Sequence, residues 1–184
     1  MDQGSTSASI GGPGSEFLPE FRAIHNKLKK RFLRKPNVSE AGEQFAKLAK
    51  KMHSREEPQY EGLCHLAVAR CERSLGNPSS ESEALLLAAR SFLKAENATR
   101  SIGCPSLEEH FQASIQSYSH AIQILEEDAS NPFAATGLCF EVAEILVGLG
   151  KLSEAGTFYQ VLYLNIISFL FLIQLVSKSS SEVE

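Results

Sequence analysis

The chain has 184 residues, 43% of them hydrophobic and 22% charged, which suits one ordinary domain with a single core and excludes wholesale disorder. Ala and Leu together number 41 against 11 for Val and Thr, a balance that favours helix, because a pleated surface selects β-branched side chains. A net charge of −4 argues against a general nucleic-acid binder and confines any basic site to a local patch.

Residues 1–15 are rich in Gly and Ser, with Ile10 the one large apolar side chain beyond Met1. They cannot offset their ordering entropy and are expected to form a flexible arm. Met1-Asp2-Gln3-Gly4 lacks the basic start and apolar run of a secretory signal, which points to a reduced, cytosolic setting.

Phe17, Phe21, Ile24, Leu28 and Phe32 recur at steps of three and four, predicting a first helix that Pro36 closes. Asn37 with Glu40 makes a capping-box-like start for a second, whose stripe is Val38, Ala41, Phe45, Leu48, Ala49 and Met52. A third stripe runs Tyr60, Leu63, Cys64, Ala67, Val68, Cys71 and Leu75 to a stop at Gly76-Asn77-Pro78. Ser80 with Glu83 is expected to open a fourth helix carrying Ala84, Leu87, Ala88, Phe92 and Ala95, broken at Gly103-Cys104-Pro105. Ser106 with Glu109 opens a fifth, Asn131-Pro132 a sixth reaching about Leu149, and a seventh begins near Leu152 after Gly150. Nothing between them reads as a strand.

Short, evenly spaced helices with brief connections predict stacked hairpins. A weak repeat supports this: Ser114-x3-Tyr118-x2-Ala121 recurs as Ala155-x3-Tyr159-x2-Leu162, the small-aromatic-small spacing of the second helix in a tetratricopeptide hairpin. The expected fold class is therefore all-α, a tetratricopeptide-like α-solenoid of about seven helices. The expected organisation is an arm over 1–15, a helical-repeat domain over 16–160, and an apolar tail with a polar end over 161–184.

No enzyme signature is present: no P-loop, no G-x-S-x-G, no H-E-x-x-H and no metal-ligand cluster, so catalytic, cofactor and metal sites are all read as none. Cys64 and Cys71 share the apolar face of one helix and read as core, and His65 points around the helix away from Cys64, which disfavours a dyad. The remaining histidines are scattered.

The densest charge feature is Lys27 to Lys35, six basic residues in nine. On a continuous helix Lys27, Lys30, Arg31 and Arg34 share one flank and form the candidate partner-binding face, suited to an acidic protein surface, anionic lipid or an import receptor. The same residues also suit a solvated helix end, where cations meet the negative end of the helix dipole. The second unusual feature is Val161–Val176, apolar apart from Asn165, Ser168 and Gln174. Sixteen helical residues reach about 24 Å, short of a hydrocarbon core of about 30 Å, and counting from Phe158 extends the run to a length that just spans.

Asn26-Lys-Leu-Lys-Lys-Arg-Phe-Leu-Arg-Lys-Pro-Asn-Val-Ser-Glu-Ala-Gly-Glu-Gln-Phe45, followed by Leu66-Ala67-Val68-Ala69-Arg70-Cys71, resembles the forty-kilodalton huntingtin-associated (factor VIII intron 22) protein family. The resemblance covers about Phe17 to Gln160. It implies a tetratricopeptide-like solenoid without catalysis, and a partnership with huntingtin, held between that protein's HEAT-repeat arms. It further implies recruitment of huntingtin to early endosomes by a Rab-type GTPase, altered endosome motility, and cytoplasmic and nuclear locations. From about Val161 the family continues with further amphipathic helices, so this chain is expected to be a shortened or alternatively ended form.

The resulting expectation is a non-enzymatic adaptor in huntingtin-dependent endosome transport, with membrane association only indirect. Two alternatives stand beside it: a tail-anchored membrane protein with a helical cytosolic domain, and a vesicle-fusion adaptor of the soluble attachment-protein type.

Overall fold

The computed structural model describes residues 16–29, 36–103, 105, 107–127 and 132–181. Among the described residues there are seven helices and no strand: α1 (Phe17–Leu28), α2 (Val38–Ser54), α3 (Pro58–Leu75), α4 (Pro78–Ser101), α5 (Glu109–Glu127), α6 (Pro132–Gly148) and α7 (Leu152–Ser181). The fold is all-α, built of consecutive helical hairpins. It divides into two compact units, Met1–Ser114 and Ile115–Glu184, the division falling inside α5.

Three connections close with the same backbone device. At Glu56, Gly76 and Gly150 the chain turns left-handed, with φ of 58°, 76° and 73°. The next amide then reaches back to the helix: Glu57 N–H to Met52 O, Asn77 N–H to Glu72 O and Lys151 N–H to Leu146 O. This is the Schellman closure, which satisfies carbonyls the last helical turn leaves open. Two of the three positions carry the glycine it favours; the third carries Glu56.

In the first unit, α1, α2 and α3 bury one cluster. Phe17, Ile24, Phe45, Leu48, Met52, Cys64 and Cys71 form it, with Phe21 and Tyr60 packed on its edge. Phe17 stacks on Tyr60 with ring centres 4.5 Å apart, and Phe21 leans on Phe45 at 5.0 Å. Asn37 caps α2 as its spacing predicts: its side-chain oxygen accepts from the Glu40 amide at 3.2 Å.

Helix α3 lies between α2 and α4 and so is buried on two sides. The expected stripe accounts for Cys64, Ala67 and Cys71, but Leu63 and Leu75 from that stripe are exposed, while Gly62 and Ala69 are buried. Small residues make these approaches possible. A methyl group at Gly42 would meet the Cβ of Cys71 at 3.3 Å, and one at Gly62 would stand 2.8 Å from the ring of Phe92.

Helix α4 begins at Pro78, not at Ser80. Proline supplies the helical φ without needing an amide partner, so Ser80 falls within the first turn. Along α4, Glu96 is fully buried and receives the guanidinium of Arg100 at 2.8 Å, and Glu81 receives Arg73 at 2.7 Å. Helix α5 begins at Glu109, because Glu108 takes a left-handed φ of 59°; Ser106, its expected cap, lies outside the described residues.

In the second unit, α6 buries Ala135, Leu138, Cys139, Val142, Ala143 and Leu146. Its carboxylates hold both neighbours: Tyr118 of α5 donates its hydroxyl to Glu141 at 2.9 Å, and Tyr159 of α7 donates to Glu144 at 2.7 Å. Helix α7 runs unbroken from Leu152 to Ser181, so residue 160, the expected end of the repeat domain, lies within it.

Candidate partner-binding surfaces

Helix α1 ends at Leu28, and Lys29 is extended, with φ −66° and ψ 128°. The expected helix through Phe32 is therefore corrected. The periodicity that would place Lys27 with Lys30, Arg31 and Arg34 on one flank does not cross Lys29. Lys27 is exposed on α1 and already engaged: its ammonium donates to Gln44 at 2.8 Å and lies 3.8 Å from Glu40. Lys30, Arg31 and Arg34 lie outside the described residues.

Beside Lys27, the α1–α2 seam carries alternating charge. Arg55 donates to Glu16 at 2.7 Å, and Lys51 bridges Glu20 and Glu16. The hydrogen bond from Arg55 holds the Glu16 carboxyl below its ordinary range, with the Arg55 and Lys51 charges adding to this. These groups are open to water and orient α1 more than they stabilise it.

The described thiols are built for packing. Burial pushes Cys64 up to about 12 and Cys139 up to about 11, and raises Cys71, so all three are neutral thiols at physiological pH. Cys104 lies outside the described residues. Two of the histidines scattered in sequence meet in space. His53 Nδ1 lies 2.9 Å from Glu61 Oε1, and His65 Nε2 approaches the same oxygen at 3.8 Å. Burial lowers the His65 pKa, Glu61 opposes this and His53 adds to it. Spacing within one helix could reveal the Glu61–His65 pair; His53 arrives only through the α2–α3 turn. Among the described residues no group of three or more His, Cys, Asp or Glu could hold a metal.

Ser114, Tyr118, Ala121 and Ala155 are buried, and Tyr159 and Leu162 are half-buried. Ser114 donates its hydroxyl to the Ala89 carbonyl at 2.8 Å. Two further copies of the spacing are present: Ala41-x3-Phe45-x2-Leu48 on α2 and Ala88-x3-Phe92-x2-Ala95 on α4, all buried. Their signal was available in the stripes themselves.

The largest apolar exposure lies on α7, where Tyr163, Leu164, Ile167, Leu170 and Phe171 are all open to solvent. Among the described residues no helix is long and apolar enough to cross a membrane. Ser153, Glu154 and Thr157 open α7, and Asn165, Ser168 and Gln174 interrupt its apolar part.

Hairpins closed by a recurring turn, a small-aromatic-small packing rule and buried thiols define a helical-repeat protein. No family model matches the chain. It is 44% identical over 167 residues to the 40-kDa huntingtin-associated protein of rat and equally to that of mouse, an alignment covering 87% of this chain and 44% of each relative. The chain belongs to the 40-kDa huntingtin-associated protein family, and it spans less than half the length of these relatives.

Proposed function

We propose that the chain is a non-enzymatic adaptor that binds huntingtin and links it to a Rab-type GTPase on early endosomes, regulating endosome motility and vesicle trafficking. The observation that supports this most is the 44% identity, spread over 87% of the chain, to proteins whose name states association with huntingtin. Stacked hairpins suit the role, since their extended surfaces bind partners without a reaction centre. The work is then done in the cytoplasm and at the endosome, with a nuclear pool.

The basic residues Lys27, Lys30, Arg31 and Arg34 are the proposed electrostatic contact, meeting an acidic surface of huntingtin. Steering by such a rim acts on association more than on dissociation. The test is binding of the full chain to purified huntingtin at low and high salt, followed by addition of the GTP-loaded GTPase. The expected result is a direct complex that weakens with salt, and GTPase recruitment that requires this chain. Changing the four basic residues to Gln should slow association and flatten the salt dependence. A folded chain that huntingtin does not retain overturns the adaptor reading; unaltered binding by the Gln variant overturns the basic contact alone.

A further inference from the structure

We infer that the groove between α1 and α2 docks an acidic segment of a partner protein, seating one large apolar side chain and meeting its carboxylates with Lys47 and Lys50. The inference rests on the reading of this basic side as the partner contact, and adds to it the site and the kind of segment it takes.

The groove is a cavity of about 360 Å³, open to solvent, with Ala23, Ile24 and Leu48 as its apolar lining. Ala23 is exposed on α1 and contributes only a methyl group, whereas Ile24 and Leu48 are buried. The volume lies at the lower end of the roughly 300–1,000 Å³ of small-ligand sites, room for one or two side chains.

Its edge is polar and comes mainly from α2. Gln44 is held by Lys27 and Glu40, and Lys51 by Glu20 and Glu16. Glu20, the carboxylate that lines the groove, is thereby paired. The Lys47 side chain is exposed and, among the described residues, has no ion pair or hydrogen bond. The same holds for Lys50, three residues along α2 and so beside it. An apolar floor thus adjoins two uncommitted ammonium groups.

Charge complementarity selects the occupant. Residues 20–55 hold eleven Lys and Arg against three Glu, a net of +8 within a chain of −4, so the remainder carries −12. This hairpin draws an acidic partner and the rest of the chain repels one, which fixes the side of approach. A protein segment fits better than an anionic lipid sheet. Glu16, Glu20 and Glu40 stand among the cations of the seam and repel a continuous anionic surface. A peptide instead places its carboxylates individually. An apolar anchor in a pocket with a polar edge is also the usual form of a protein contact.

Fluorescence anisotropy of the full chain with a labelled peptide of alternating Glu-Glu and Leu-Leu pairs tests this, apart from any binding of huntingtin. Saturable binding that weakens with salt is expected. Ala23→Trp fills the groove and should weaken binding about tenfold or more, the equivalent of leaving one apolar side chain in water. Changing the peptide's Leu to Ser should do the same, and this arm needs no altered protein. Lys47→Glu with Lys50→Glu should weaken binding too, whereas Lys94→Glu, the same change on the exposed side of α4, should not. Absence of saturable binding overturns the proposal. So does equal binding of the Ser peptide, equal binding by a folded Ala23→Trp chain, or capture by phosphatidylserine vesicles in place of the peptide. A chain that binds the peptide in the groove but not huntingtin supports the groove and overturns the adaptor reading alone.

Discussion

Gly62 of α3 lies directly against the ring of Phe92 of α4, with space for a hydrogen but not for a methyl group, whose carbon would stand 2.8 Å from ring carbon Cε1. The separation of the two helices is thus set by the absence of one side chain. Gly62→Ala should destabilise the chain by about 1–3 kcal/mol through overpacking. Gly137 of α6 meets nothing within 4 Å of an added Cβ, and Gly137→Ala should stabilise by about 0.5–1 kcal/mol through helix propensity. Urea melts of the two variants give the comparison, and pairing Gly62→Ala with Phe92→Leu should recover part of the loss.

Glu56 occupies the left-handed position that Gly76 and Gly150 fill in the two sister turns. A side chain there costs roughly 1–2 kcal/mol relative to glycine, offset in part by the greater freedom glycine has when unfolded. Glu56→Gly is therefore expected to raise the unfolding midpoint, with a gain of about 0.5–1 kcal/mol. The same change at Glu57, outside that backbone region, should give no gain.

Glu96 is fully buried, with the Arg100 guanidinium 2.8 Å away. Removing the cation should cost more than removing the pair. Arg100→Ala removes one cation from a buried carboxylate, and a loss of about 3 kcal/mol is expected. Arg100→Ala combined with Glu96→Gln should be milder than Arg100→Ala alone. Thermal or denaturant unfolding of the three chains decides this.

Stability should fall on mild acidification. Burial holds His65 below the ordinary imidazole value of 6.5. The unfolded ring therefore takes up its proton near 6.5 while the folded ring waits for lower pH. The contribution is complete above that value and is lost as pH drops beneath it. Unfolding midpoints compared between about pH 7.5 and 5.5 should decline, and His65→Gln should make that decline shallower.

Much of the first unit was legible because its signals are local. The Asn37–Glu40 cap and the Gly76 stop depend on residues a few positions apart, and both stand as their spacing predicts. What could not be read from one helix is where a second neighbour lands. A stripe identifies a single buried face, so Gly62 and Ala69 were invisible until α4 covered the other side of α3. The end of α1 also differs from the stripe: the apolar period runs on to Phe32, but the backbone is already extended at Lys29. The meeting of His53 with Glu61 depends on the angle of a turn, which no periodicity encodes.

The extensive helix contacts of the first unit join α1 to α2, α2 to α3 and α3 to α4. Each helix thus packs on its neighbours in sequence. Loop-closure costs stay small at every step, a topology that folds in microseconds to milliseconds, while a ribosome adds only about 5–20 residues per second. Every hairpin has time to equilibrate before the next helix emerges. The first unit is therefore expected to assemble during synthesis, in chain order, before α7 has left the exit tunnel.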